Sequence, residues 1–175
     1  QSNESKDLDE VVVSQRKKSS QLSFLSTQNV LNVSSDELLK AACCNLSESF
    51  ETNPAIDVNF DNALTGVKQV HMMGLPSPYL LFTEENIPII RGASQVYGLS
   101  FTPGTWIESL QISKGAGSVI NGYESMTGQI NAELKKPLTS ERMFLNLFRS
   151  LEGQNELNFH TKTTLSSKLS ANVFV

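Results

Sequence analysis

The sequence contains few of the residues from which catalytic and metal sites are usually built. Its 175 residues include two histidines, two cysteines and only 18% charged side chains. Cys43 and Cys44 are adjacent, so they cannot form a disulfide that closes a long loop. His71 and His160 are far apart in the chain, so no Ser–His or Cys–His nucleophile pair is indicated. We therefore expect that the protein is not an enzyme and holds no cofactor.

Strong positive charge and long hydrophobic runs are also missing. Acidic residues outnumber basic residues by 18 to 14, which gives a formal net charge of −4. This balance argues against a nucleic-acid partner, because nucleic acids are bound mainly through neutralisation of phosphates. The longest apolar runs, Val11–Val13 and Tyr79–Phe82, are far shorter than the roughly 20 residues that a membrane-spanning helix needs.

Uncharged side chains supply most of the polarity. The chain has 23 serines and 14 asparagines, whereas its charged fraction is below the usual figure of about 25%. This composition is typical of a domain whose surface faces a water-filled cavity.

Residues 1–20 form a polar segment that contains one apolar triplet, Val11–Val13. Acidic residues precede the triplet and basic residues follow it. The pattern favours an extended segment that stays exposed until a partner binds it. In the alternative interpretation, the triplet is the first strand of the core.

A helical region is predicted over residues 35–53. Ser34 and Glu37 have the spacing of a capping box, and apolar residues follow at helical intervals, so a helix should begin near Ser35. Asn45 and Glu48 repeat this pattern, and Pro54 ends the region. Two short helices or one kinked helix would fit.

Six extended runs follow, separated by Gly, Pro and Asn: Ile56–Phe60, Gly66–Met73, Tyr79–Thr83, Ile87–Ile90, Trp106–Lys114 and Gly128–Leu134. The mixed pattern of the fifth run predicts a helical turn that leads into a strand. We expect one small domain of helices and strands, ending at Lys136–Pro137.

Beyond Pro137, apolar and polar residues alternate over three segments. Turns predicted at Glu152–Asn155 and Thr164–Ser167 would give an antiparallel meander with strands of about ten residues. Such strands are typical of membrane-barrel hairpins, although periodicity alone fits a soluble meander better. Because the strand pattern is still running at Val175, we expect the chain to be part of a larger protein.

The Gly-rich stretch from Ile107 to Pro137 carries the clearest signature. Its glycine spacing does not match a phosphate-binding loop. The stretch resembles instead the C-terminal half of the plug domain of TonB-dependent outer-membrane receptors. The residues that match the family pattern are Ile107, Glu108, Lys114, Gly115, Ser118, Gly122, Gly128, Ile130 and Asn131. Glu84–Pro88, which reads EENIP, departs from the family's usual I-D-G-V-P.

The resemblance implies an α+β fold with three parts. Residues 1–20 would be a flexible N-terminal segment, residues 21–137 a small mixed-sheet plug domain with short helices, and residues 138–175 the first antiparallel, amphipathic strands of a transmembrane β-barrel. Wide barrels of this kind have a lumen too large for side chains to fill, so a separate domain must close it.

The resemblance also implies a function, partners and a location. The chain would gate the energised uptake of a scarce nutrient, such as a siderophore, metal chelate, vitamin or oligosaccharide. It would lie in the lumen of its own barrel in the outer membrane, with its N-terminus in the periplasm. The periplasmic domain of TonB, driven by an inner-membrane energising complex, would pair with a TonB box formed by Leu8, Asp9, Glu10, Val11, Val12 and Val13.

Further site residues follow from the resemblance. Loops on the outer side of the plug would meet a small-molecule or chelate substrate, with Pro76, Ser77, Pro78, Tyr79, Arg91, Tyr97 and Phe101 as candidates. Ion pairs within the plug or between plug and barrel would involve Arg91, Glu108 and Lys114.

Two further interpretations complete the sequence analysis. Cys43, Cys44 and the His71–Met73 run carry donors suited to copper, but their spacing favours ordinary packing roles, so we expect no metal site. The alternative to a transporter is a stand-alone periplasmic ligand-binding or interaction domain with a plug-like fold.

Overall fold

A computed structural model describes residues 20–23, 30–40, 46, 50, 53, 54, 56–62, 67–96, 102–149, 151, 155–166 and 168–175. Several predicted features lie outside these ranges: the TonB-box segment Leu8–Val13, Cys43, Cys44, Tyr97 and Phe101.

The described chain forms twelve strands and one α-helix, together with short 3₁₀ turns. The strands are β1 Ser20–Ser23, β2 Val30–Ser34, β3 Asp57–Asn62, β4 Val67–Met72, β5 Leu75–Pro76, β6 Leu80–Glu84, β7 Ile87–Ile90, β8 Ile107–Lys114, β9 Gly128–Leu134, β10 Met143–Arg149, β11 Asn155–Ser166 and β12 Leu169–Phe174. The helix α1 spans Ser35–Lys40.

Six strands form the main sheet, in the order β1-β2-β8-β9-β6-β7. Among the described strands of this sheet, β6 and β9 pair in parallel and the other neighbours are antiparallel. In β8, Leu110 and Ile112 are buried while Gln111 between them is half-buried, as expected for a strand with one face on the core. Phe50 packs edge-on against Phe82 of β6, with ring centroids 6.5 Å apart. The sheet is mixed, and the α+β class is confirmed.

Several sequence predictions are confirmed at the residue level. Strands β7 and β9 have the predicted limits, and α1 begins at Ser35. A 3₁₀ turn at Gly104–Trp106 leads into β8, as the mixed pattern of that run predicted. Of the helical region predicted over residues 35–53, the described part contains α1 and a helical Leu46, and most of residues 41–52 lie outside the described residues.

A three-stranded sheet, β3-β4-β5, packs beside the main sheet. Val70 and Met72 of β4 are fully buried. A Cβ atom at Gly128, the first residue of β9, would overlap the Met72 sulfur and the Ser113 carbonyl oxygen. This close approach explains why the signature requires glycine at position 128.

The last three strands form a separate antiparallel sheet, β10-β11-β12. The register places Met143, Leu145, Leu147, Leu157 and Val173 on one face, where all five are exposed. The opposite face carries two buried polar side chains, Asn158 and His160. Phe174 on the same face packs against Trp106, which precedes β8, with ring centroids 5.4 Å apart. We call the sheet β10-β11-β12 the strand sheet. It therefore has one exposed apolar face and one polar face that is turned inward.

The predicted second turn of this sheet is wrong in position. Strand β11 continues through Thr164 to Ser166, and a register shift between these two residues absorbs an irregularity in the pairing with β12. Thr164 is β-branched and fits an extended strand, which accounts for the continuation of β11. The strands also differ more in length than predicted, at 7, 12 and 6 residues.

Among the described residues, no helix combines the length and the apolar character that crossing a membrane requires.

Candidate functional site

The main sheet has two chemically different ends, which the strand register defines. Ser20, Glu84 and Leu134 lie at one end, where β9 leads into the linker of residues 135–142. We call this the linker end. Strand β6 starts at the opposite end and strand β8 finishes there, with Leu80 and Lys114 both opposite Gly128. We call this the loop end, because three irregular segments project from it.

Three segments meet at the loop end: the turn Ser77–Tyr79, the turn Gly92–Val96 and the loop 115–127. The carbonyl oxygen of Tyr79 accepts hydrogen bonds from the Thr127 amide at 3.0 Å and the Thr127 hydroxyl at 2.9 Å. The Gln95 side chain donates to the Leu80 carbonyl at 3.5 Å. These bonds tie segments that are distant in sequence into one surface.

An ion pair between Arg91 and Glu124 also connects segments at the loop end. Arg91 Nε lies 3.4 Å from Glu124 Oε2, with the Arg91 side chain 56% exposed and the Glu124 side chain 11% exposed. The pair connects the end of β7 to the loop 115–127. Arg91 was selected from the sequence, but Glu124 was not, because only the fold brings the two together.

The other predicted substrate-loop residues differ in exposure. Tyr79 and Pro78 are exposed, whereas Pro76 is half-buried and pairs with His71. Ser77 is buried, and its hydroxyl accepts a hydrogen bond from the Gln69 side chain at 3.3 Å. Ser77 therefore shapes the loop instead of facing outward.

Sequence reasoning did not select the loop 115–127 as a surface. Four of its apolar side chains are nevertheless exposed: Val119, Ile120, Tyr123 and Met126. Gly122 has φ of 68°, a left-handed value that glycine adopts without strain, and it lies within the 3₁₀ segment Val119–Ser125. The signal in the sequence is a set of apolar residues between Gly117 and Gly128.

Glu108 and Lys114, the other predicted ion-pair residues, lie on β8 at opposite ends. Glu108 is half-buried near the linker end, where its charge acts on Lys135. Lys114 is exposed at the loop end, opposite Gly128.

Asn131 of β9 is a hydrogen-bonding centre near the linker end. Its side chain is buried, and its oxygen accepts from the Thr83 hydroxyl at 2.9 Å and the Asn86 amide at 2.8 Å. Its nitrogen donates to Gln111 at 3.4 Å. The signature asparagine thus links β8, β9 and the turn between β6 and β7.

Two carboxylates next to this centre have opposite pKa shifts. Burial and the neighbouring charge of Glu85 raise the pKa of Glu84, although a Thr102 hydrogen bond lowers it in part. Burial also raises the pKa of Glu85, but its contacts with Lys136 and the Leu134 amide lower it more, so the net shift is downward.

The Glu84 shift predicts a pH effect on stability. Because the pKa of Glu84 is raised, the protonated carboxyl group stabilises the folded state. This stabilisation is fully present below about pH 4.5 and is lost as the pH rises through the folded-state pKa of Glu84. Glu84→Gln should therefore be more stable than the wild type near pH 7, with the difference vanishing near pH 4. Denaturant unfolding at both pH values measures this, and an equal difference at the two values would contradict it.

Residues considered for a metal have other surroundings. His71 Nε2 lies 3.0 Å from Gln69 Oε1, and Met72 is fully buried in the core. Within the part of the chain that the structure describes, no group of three His, Cys, Asp or Glu side chains is arranged to hold a metal ion.

Comparison with known proteins gives consistent matches. The family model of the TonB-dependent receptor plug domain matches residues 24–129. The vitamin B12 transporter BtuB of Vibrio vulnificus is 26% identical over 131 residues, which make up 74% of this chain and 21% of that protein. The chain therefore spans about a fifth of the length of this curated relative.

Solved structures share the fold. The ferric yersiniabactin uptake receptor FyuA of Yersinia pestis superposes with a TM-score of 0.62 at 15% identity, covering 84% of this chain and 24% of FyuA. The ferric-catecholate import receptor Fiu of E. coli K12 gives a TM-score of 0.65 at 15% identity, covering 85% of this chain and 21% of Fiu.

Proposed function

Because this chain belongs to the TonB-dependent receptor plug domain family, we propose that it gates energised uptake of a scarce nutrient through an outer-membrane receptor. Receptors of this family are outer-membrane proteins, and their plug lies inside the barrel. The proteins it matches are named as transporters and receptors, not as enzymes.

The polarity of the main sheet is the observation that carries this proposal. Ser20, near the N-terminal segment, and Leu134, before the linker, lie at the same end. The three segments of the loop end project from the opposite side. A domain built in this way receives a pull from the periplasm at one end and meets a substrate at the other.

The N-terminal partner in this proposal is TonB. Residues Leu8–Val13 would add as a strand to the edge of the TonB periplasmic domain, with main-chain hydrogen bonds supplying the affinity. Acidic residues before the Val11–Val13 triplet and basic residues after it support this proposal, because such flanks would favour an exposed segment until that pairing occurs.

The proposed domain limits place the main sheet, apart from Ser20 at the start of β1, in the plug, and the sheet β10-β11-β12 in the barrel wall. Residues 1–20 carry the TonB box, residues 21–137 form the plug, and residues 138–175 begin the barrel wall. The strand sheet supports the last assignment, because its apolar outward face and polar inward face are what a wall between lipid and a wet lumen needs.

The substrate would bind at the loop end. BtuB is named for vitamin B12 and FyuA for ferric yersiniabactin, and we propose a nutrient of this general kind, bound as a small molecule or chelate. Tyr79 and the Arg91–Glu124 pair supply an aromatic face and a polar rim, while Pro76, Pro78, Tyr97 and Phe101 remain candidates.

Binding to the full-length receptor tests this site. A panel of ferric siderophores and cobalamins should give one ligand whose affinity falls about five- to thirtyfold in Tyr79→Ala, since truncation of a tyrosine that is central to binding costs about 1–2 kcal/mol. Ile87→Ala, an exposed apolar residue at the linker end, is the matched control and should bind normally. Equal affinities of Tyr79→Ala and the wild type for the ligand would contradict the site.

A further inference from the structure

The turn between β6 and β7 has an unusual backbone. Glu85 and Asn86 have φ values of 53° and 63°, in the left-handed region. A two-residue hairpin with both central residues left-handed matches strand twist, and Asn or Gly usually occupies such positions. Glutamate has no local hydrogen bond that favours this conformation, so its backbone there is strained.

The side chain of Glu85 has contacts that account for its position. One carboxylate oxygen accepts a hydrogen bond from the Leu134 amide at 2.8 Å, and the other forms an ion pair with the Lys136 ammonium. The Glu85 amide donates to the Ala132 carbonyl at 2.9 Å. A single turn residue thus holds the last residues of β9 and the start of the linker.

The same linker is bound from the strand sheet. Asn172 of β12 donates to the Lys135 carbonyl at 2.9 Å, and Lys162 of β11 donates to the Ser140 carbonyl at 2.8 Å. The Lys135 ammonium lies 4.6 Å from the centre of the Phe144 ring. The linker is therefore fixed to the plug at its first residues and to the strand sheet over its length.

The sheet order gives these contacts a mechanical meaning. Strand β1 is at one edge of the main sheet, and β6 lies on the far side of β9 from it. Ser20 and Leu134 lie at the same end of the sheet, but β1 and β9 are separated by two strands. A pull on β1 therefore acts to one side of the linker that follows β9. Such a pull would rotate the sheet about the linker unless a contact on the β6 side opposed it.

We propose that Glu85 is a positioning residue that locks the linker of residues 135–142 to the main sheet. The lock keeps the plug seated against the strand sheet while its N-terminal edge is pulled. The role of these contacts during a pull rests on the proposed function. The contacts of Glu85 with Leu134 and Lys136 need neither TonB nor substrate, so their effect on the linker can be measured without either.

Thiol labelling in the full-length receptor tests the lock. Ser140 is 6% exposed and its hydroxyl lies 3.2 Å from the Asn172 side-chain oxygen, so Ser140→Cys, with Cys43 and Cys44 replaced by serine, reports on opening of the linker. Glu85→Ala should raise its maleimide labelling rate about tenfold or more, because the partly buried Leu134 amide loses its acceptor.

Further variants separate the lock from general loosening. Glu85→Gln keeps an acceptor for the Leu134 amide and should give a smaller increase than Glu85→Ala. Glu85→Gly removes the backbone strain but also the carboxylate, so its labelling should rise as in Glu85→Ala although the turn itself is relaxed. Glu133→Ala is the matched control, because Glu133 lies next to Leu134 on β9 but accepts a hydrogen bond from the Gln111 side chain at 3.0 Å and has no described bond to the linker.

The outcomes are distinct. Fast labelling in Glu85→Ala and Glu85→Gly with normal labelling in Glu133→Ala supports the lock. Wild-type labelling in Glu85→Ala overturns it, as does equally fast labelling in Glu133→Ala. A second reporter, Ser125→Cys, lies at the loop end, where Ser125 is 2% exposed in the wild type. This cysteine should stay protected in Glu85→Ala. Its labelling there would show that the whole plug had loosened and would overturn the proposal.

Discussion

Deletion of Leu8–Val13 in the full-length receptor is expected to abolish energised uptake and to leave substrate binding unchanged. Strand addition to TonB depends on main-chain hydrogen bonds from this segment, and without them no force reaches the plug. The loop end does not include these residues, so the affinity for substrate should be that of the wild type. Uptake and equilibrium binding of the same labelled substrate measure the two effects.

Point variants sharpen this test. Val12→Pro removes one amide from the proposed strand and fixes φ, so it should reduce uptake almost as far as the deletion does. Val12→Thr keeps the amide and the β-branched shape and should transport normally. Uptake by the deletion variant at the wild-type rate would exclude Leu8–Val13 as a TonB box.

Replacement of Asn131 by leucine is expected to destabilise the plug by about 2–5 kcal/mol, because two donors near the linker end each lose a buried acceptor. The donors are the Thr83 hydroxyl and the Asn86 amide. Leucine has the same branching as asparagine but is larger, so the loss combines two missing hydrogen bonds with overpacking of the site. Denaturant unfolding of the plug in the purified receptor measures it.

Thr83→Val is the matched control for this prediction. It removes one hydroxyl and leaves the Asn131 oxygen bonded to the Asn86 amide, so its cost should be clearly smaller than that of Asn131→Leu. Equal stability of Asn131→Leu and the wild type would show that the signature asparagine does not hold β8, β9 and the turn together.

Local sequence patterns were sufficient to predict a strand where one face of the strand is apolar and glycine or proline occurs at or near its ends. Strands β7 and β9 and the turn before β8 follow from such patterns. The turn at residues 164–167 was misplaced, because Thr and Ser occur both in turns and in strands and the pairing with β12 decided between them.

The functional residues were harder to predict because their partners are distant in sequence. Arg91 is a plausible candidate by type, yet its pairing with Glu124 depends on β7 and the loop 115–127 meeting at one end of the sheet. The sequence EENIP at Glu84–Pro88 was seen only as a departure from the family pattern. The structure shows that Glu85 adopts a left-handed conformation and binds Leu134 and Lys136.

The central claim is that these residues gate a larger outer-membrane receptor. Immunoblotting of separated membranes for the native protein, with and without boiling, tests this claim most directly. We predict a band in the outer-membrane fraction that is several times larger than 19.2 kDa, the mass of this chain, and that changes mobility on boiling. A soluble band near 19.2 kDa would contradict the claim and indicate a stand-alone domain with a plug fold.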